Sequence, residues 1–107
     1  MSEPDSGQKV SVVAKLTIKP EKADDFPAQW DDLMGHIADN EPGCHHYTLH
    51  RSSTEPNVFF VTEIYQNQAA LDAHMGSDAF AAFGGGLGDF VESADLQFAA
   101  PIKAAKA

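Results

Sequence analysis

The stretch VFFVTEIYQNQAALDAHMGSDAFAAF, Val58 to Phe83, decides how the rest of this chain is read. Its first eight residues, Val58 to Tyr65, are mostly β-branched and aromatic, the composition of a strand. Strand alternation puts Phe59, Val61, Glu63 and Tyr65 on one side and Val58, Phe60, Thr62 and Ile64 on the other. Both sides carry apolar groups, so the strand needs cover on both. The chain then enters a helix. Asn67 is a good N-cap, and Ala70, Leu71, His74 and Met75 fall on one inner stripe. Gly76 interrupts that helix, and Ser77-Asp78 caps a second helical piece carrying Phe80, Phe83, Leu87, Phe90 and Val91 at helical spacing.

Upstream, Val10 to Lys19 alternates cleanly, with Val12, Ala14, Leu16 and Ile18 on one face, and reads as a half-buried strand ended by Pro20. Phe26, Trp30, Leu33, Met34 and Ile37 then make one apolar stripe, which predicts a helix within Glu21 to Asn40. Pro27 has to lie near its start, where a missing N–H costs least, so the helix is expected to begin no earlier than about residue 22 or 23. Glu41-Pro42-Gly43 is a stop and turn signal. Cys44 to Arg51 reads as a second strand and Ser52 to Asn57 as a loop. Downstream, Ala94 to Ala100 alternates again as a fourth strand with Leu96 and Phe98 inward.

The order is therefore β-α-β-β-α-β, a ferredoxin-like α+β fold: an antiparallel four-stranded sheet with both helices on one face. The other face, carrying Val13 with Val58 or Val61 according to register, is left for a partner, and a homodimer packed sheet to sheet would hide it. Residues 1–9 are expected to form a flexible arm, 10–100 the folded domain, and 101–107 a basic, alanine-rich tail.

At 107 residues there is room for one core and no more. Sixteen acidic against seven basic residues give a net charge of −9, which argues against nucleic acid and against anionic membrane surfaces. No apolar run approaches the ~18 residues a membrane span needs. The start, MSEPDSGQK, has neither the basic nor the apolar region of a secretion signal, so a cytoplasmic protein is expected. Cys44 is the single cysteine; no internal disulfide can form, and a small buried side chain rather than a nucleophile is the expected role.

Five histidines raise the question of a metal. His45 and His46 are adjacent on a strand and point to opposite faces, while His46 and His50 share a face roughly 13 Å apart at ~3.3 Å per residue. His36 and His74 lie on different helices, so no metal site is expected. The run Gly84-Gly85-Gly86-Leu87-Gly88 follows a helix rather than a strand and reads as a helix break, not a phosphate loop. His74 is either a core histidine bonded to a backbone carbonyl or a base or hydrogen-bond donor in a small pocket between sheet and helices. Glu63, a carboxylate in a central strand, needs a partner or water.

Three segments carry a resemblance. VVAKLTIKPEKADDF, EPGCHHYTLHRS and FFVTEIYQNQAALDAHMGSDAFAAF, in that order and at these separations, resemble the antibiotic biosynthesis monooxygenase family over about Val10 to Leu96. The most specific parts are Glu41-Pro42-Gly43-Cys44 and the block Glu63-x-Tyr65 … Ala70-Leu71-x-x-His74. The resemblance implies a dimeric α+β barrel. The family spans cofactor-independent oxygenases of polycyclic phenols, quinol monooxygenases, haem-degrading enzymes and relatives that process a phosphorylated signalling sugar. The haem-degrading branch implies an Asn, a Trp and a His where this chain has Ala14, His74 and Gly84, so haem degradation is not expected. Many members carry Trp at the place of Tyr65 and Pro-His at Asp78-Ala79; both differ here.

The resulting expectation is a cofactor-independent monooxygenase that uses O2 on a small electron-rich phenol or quinol. His74, Tyr65 and His50 are the candidate catalytic residues; Phe26, Trp30, Glu63, Phe80 and Phe83 are the candidate substrate-binding residues. No cofactor and no metal are expected. The alternative is a member of the same fold that binds or isomerises a small, for example phosphorylated, ligand without oxygen chemistry.

Overall fold

A computed structural model describes residues 8–106. Four strands, β1 (Val10–Ile18), β2 (Cys44–Arg51), β3 (Val58–Tyr65) and β4 (Val91–Ala99), form one antiparallel sheet in the order β2-β3-β1-β4. Between them lie helices α1 (Asp31–Asn40), α2 (Gln68–Met75) and α3 (Asp78–Gly86). This is the ferredoxin-like α+β arrangement expected from the element order. The expected flexible arm falls mostly on residues outside those described; residues 101–106 carry no helix or strand.

Register fixes the two faces of the sheet. Ala14 pairs with Val61, Val12 with Glu63 and Leu16 with Phe59, so β1 and β3 turn these side chains to the helices. Val61 thus belongs to the covered face, while Val13, opposite Thr62, lies on the helix-free face at 45% exposure. On the covered side Phe26, Trp30, Leu33, Ile37 and Phe59 bury with the β1 residues in one core. Phe26 meets Phe59 edge-on at 5.1 Å, and Trp30 lies 4.4 Å from Phe83. Such ring pairs add to the burial energy of the side chains themselves.

Three expectations need correction. The segment before α1 is not α-helical: Pro20–Trp30 is a 3-10 helix that starts at Pro20 and holds Pro27 inside it. The apolar steps of three and four are compatible with either helix, whereas an α-helix would need a donor from Pro27 and would drive its ring into the carbonyl four residues back. The fourth strand begins at Val91, not Ala94, because the glycines end α3 and a short 3-10 turn, Leu87–Asp89, delivers Phe90 and Val91 to the sheet. Finally, Leu96, Phe98 and Met75 are 50%, 59% and 47% exposed. Leu96 and Phe98 do pair with Ala14 and Val12 on the helix side, but β4 is an edge strand and the helices stop short of it.

One junction positions the site. The turn Glu41-Pro42-Gly43 is tied to the end of β3 by Gln66, whose N–H donates to the Gly43 carbonyl at 2.7 Å. A Cβ at Gly43 would sit 2.7 Å from the Cβ of Ala70 in α2. Only glycine lets the turn approach the helix so closely. Asn67 caps α2, its side chain accepting from the Ala70 N–H at 2.9 Å, and Ser77 caps α3 in the same way through the Phe80 N–H at 3.1 Å.

Candidate active site

His74 projects from α2 into the molecule and is 2% exposed. Its ring is enclosed by Phe80 at 5.0 Å and by Tyr47 and Tyr65 at 5.5 Å each. A histidine so placed needs a polar partner, and its Nδ1 lies 2.8 Å from Glu41 Oε1. The tight turn at Gly43 is what brings this carboxylate to the last turn of α2. The other oxygen, Oε2, is 3.1 Å from His36 Nε2, an ion-pair distance, but it lies off the ring N–H direction and accepts no hydrogen bond. Nε2 of His74 has no protein hydrogen-bond partner among the described residues.

Glu63 is the second buried carboxylate, 8% exposed on the helix-facing side of β3. It accepts a hydrogen bond from the Tyr65 hydroxyl at 2.6 Å. Burial raises its proton affinity above the ordinary carboxylate range; the Tyr65 hydrogen bond and the field of His74 oppose this, and Glu41 adds to it. Tyr65 and Tyr47 are both pushed well above the usual phenol range, chiefly by burial, so neither ionises near neutral pH. Burial likewise raises the Cys44 thiol to about 11, which leaves it protonated and a weak nucleophile.

Glu63 and His74 together line a shallow recess of about 60 Å³, with Val12, Leu71 and Phe80 as its other inner walls and Met75, Leu96 and Phe98 at its lip. Larger hollows lie elsewhere. One of about 440 Å³ sits between Ile64, His46 and the tail residues Pro101–Lys103, and one of about 350 Å³ is bounded by Met34, Ile37, Glu41, Cys44 and Tyr47. Of these hollows, the smaller recess is the one that touches both His74 and Glu63.

The structure brings together only part of the expected set. His74, Glu63 and Phe80 share the recess. Tyr65 is fully buried and reaches it through Glu63 rather than directly. Phe26, Trp30 and Phe83 pack on one another in the core and do not line it; the Trp30 indole N–H is buried without a partner. His50 is on the opposite face of the sheet, its Nε2 3.0 Å from the Thr62 hydroxyl. His46 Nε2 is 2.8 Å from the same oxygen. The two rings therefore converge between their strand positions, contrary to the separation read from strand rise. Their backbones are a two-residue repeat apart on each side of Thr48, which faces Thr62, and the long side chains lean inward. Among the described residues no group of three or more His, Cys, Asp or Glu side chains is placed to hold a metal ion.

Glu41 is absent from the site residues expected from the sequence, where it is part of a helix stop. Neither its place at the start of the Glu41-Pro42-Gly43 turn nor its place in the motif that carries the family resemblance says what lies across the fold.

Comparison with known proteins agrees with this architecture. A crystal structure from Caulobacter crescentus CB15, provisionally assigned as an antibiotic biosynthesis monooxygenase, superimposes with a TM-score of 0.85 at 34% identity, covering 92% of this chain and 94% of that one. A protein from Shewanella oneidensis superimposes with a TM-score of 0.81 at 26% identity, covering 91% and 94%. An uncharacterized protein of Synechocystis is 32% identical over 74 residues, 69% of this chain; the chain spans about half the length of that curated relative, which is covered to 50%. No helix among the described residues is long and apolar enough to cross a membrane. The family model for antibiotic biosynthesis monooxygenases matches residues 9–85, and with the shared fold this makes the chain a member of the antibiotic biosynthesis monooxygenase family.

Proposed function

We propose that this protein is a cofactor-independent monooxygenase that oxidises a small electron-rich phenol or quinol with O2. The observation that carries the reading is a buried imidazole, tied at Nδ1 to a carboxylate, whose other nitrogen is left without a protein partner in an apolar recess. In the proposed reaction, His74 takes the phenolic proton. The phenolate passes one electron to O2, and the radical pair couples at ring carbon to a peroxide. Loss of water leaves a carbonyl. One oxygen atom ends in the product and the other in water, so phenol and O2 balance to quinone and water with no external reductant. Glu63, with its raised proton affinity, is suited to hold or return a proton beside the peroxide, and Tyr65 holds Glu63 in place.

At about 60 Å³ the recess is smaller than the ~150 Å³ hydrophobic cavity that accepts benzene. The aromatic ring therefore lies partly at the lip, against Phe80 and the exposed Met75, Leu96 and Phe98. A homodimer and a cytoplasmic setting complete the proposal. Val13 at 45% exposure, beside the half-buried Phe60 and Ile64, supports pairing through the helix-free face.

The test is oxygen uptake with a panel of quinols and phenols in chelator-treated buffer, for the wild type and His74→Ala. General-base catalysis of this kind is worth about 10²- to 10⁴-fold, and a loss in that range is expected. Equal rates in both proteins would remove His74 from the mechanism. Tight binding of a phosphorylated ligand with no oxygen consumed would favour the non-oxygenase reading instead.

A further inference from the structure

Glu41 is a carboxylate whose side chain is 10% exposed, held between imidazoles from two helices. A buried carboxylate is stable only when it is paired and hydrogen-bonded. Ionised, it can only accept hydrogen bonds. The 2.8 Å contact from His74 Nδ1 to Glu41 Oε1 therefore requires the proton of the neutral ring to be on Nδ1. In a neutral ring the lone pair is then on Nε2, the nitrogen without a protein partner.

We propose that Glu41 is the positioning residue of the site: it locks His74 in the Nδ1–H tautomer, so that Nε2 is always the proton acceptor, and it stabilises the imidazolium formed when Nε2 takes the proton. The catalytic role of that proton transfer rests on the reading of His74 given above; the tautomer lock does not.

The surroundings suit this division of labour. Phe80, Tyr47 and Tyr65 confine the ring, leaving rotation about its side-chain bonds little room. The charged or titratable groups around His74 come from every element packed on it. Glu41 is in the turn after α1, Tyr47 on β2, and Glu63 and Tyr65 on β3. Of these only Glu41 contacts a ring nitrogen. Tyr47 and Tyr65 are held neutral by burial, and the Tyr65 hydroxyl is committed to Glu63. His36 faces the far oxygen of Glu41 at 3.1 Å without an aligned hydrogen bond. The Gln66 to Gly43 hydrogen bond fixes the turn, and with it the carboxylate. The arrangement has the logic of the orienting acid in a serine-protease triad, where a carboxylate-to-amide change leaves the geometry intact but costs about 10⁴-fold in kcat through the wrong tautomer.

The experiment is nitrogen-15 NMR of the His74 side chain in wild type and Glu41→Gln, read beside oxygen uptake. In the wild type, above the pH at which the ring becomes neutral, the Nδ1–H form is expected. The glutamine amide can also donate, so in Glu41→Gln the Nε2–H form becomes a major species. Turnover falls by about 10²- to 10⁴-fold with KM nearly unchanged. A purely structural role would lower stability and leave the tautomer alone. Finding the neutral wild-type ring protonated on Nε2 overturns the proposal, and that measurement stands even if Glu41→Gln fails to fold. A tautomer that shifts as expected while no substrate consumes oxygen would keep the lock and discard the oxygenase reading.

Discussion

Two sets of histidines stand on opposite faces of one sheet, and their neighbours assign them different chemistry. On the helix-free face His46 and His50 reach one Thr62 hydroxyl, at 2.8 and 3.0 Å. A hydroxyl has one proton, so it can donate to only one of two neutral rings and must accept from the other. Neither ring has an ion-pair partner among the described residues. On the covered face His74 is 2% exposed and paired with a carboxylate at 2.8 Å. Of these three rings, His74 is the one that combines burial with a carboxylate partner.

The sharpest way to break this contrast is to delete each set in turn. His74→Ala is expected to abolish about 10²- to 10⁴-fold of oxygenase turnover. The double variant His46→Ala, His50→Ala is expected to stay within about 2-fold of wild type, since exposed or part-buried neutral hydrogen bonds are worth only about 1 kcal/mol each in stability. Steady-state oxygen uptake decides it. A double variant as crippled as His74→Ala would show that the helix-free face takes part in the reaction.

The contrast was half legible in the sequence. The period of β3 and the stripe of α2 placed His74 inward and Glu63 beside it, because burial follows side-chain periodicity. The partner of His74 was not legible. Glu41 and His74 are 33 residues apart in the chain, and only the approach of the turn at Gly43 to Ala70 joins them. The second strand holds another feature that the sequence does not show. Its register shifts between Cys44 and His46, so Cys44 joins Tyr47 and Leu49 against the helices instead of keeping the alternation with His46. One inserted residue at a bulge flips a face, and no local composition announces it. Phe26 and Trp30 fill the core instead of lining the recess, and in sequence a stripe of aromatic residues looks the same in either case.

Gly43 gives the next test. A Cβ there meets the Ala70 Cβ at 2.7 Å, and Ala70 sits on a helix whose cap is already fixed by Asn67. Relief requires the turn to back away from α2, carrying Glu41 with it. Gly43→Ala is expected to cost about 1 to 3 kcal/mol, the range for overpacking a tight site, measured by denaturant unfolding. It should also loosen the Glu41 contact, visible as a mixed His74 tautomer. Unchanged stability with an unchanged tautomer would mean that the turn is free to adjust, and that the precision of the covered face comes from elsewhere.

The smallest effect concerns Glu63 and asks whether burial on the covered face is felt by charge. Its carboxyl is raised from an ordinary 4.5, first by burial. Between the unfolded and folded midpoints the native state then binds more protons than the unfolded chain. The contribution to stability is complete below about pH 4.5 and is lost as pH rises through the folded midpoint. Glu63→Gln cannot ionise, yet its amide oxygen can still accept the Tyr65 hydroxyl. Unfolding free energies at pH 4 and pH 8 should therefore show the variant gaining on the wild type with rising pH, by about 1.4 kcal/mol for each unit the carboxyl is displaced. The other carboxylates are common to both proteins and cancel in the difference. A difference that stays flat would mean that Glu63 is solvated in solution, in which case His74 alone, and not the pair, would distinguish this face from the other.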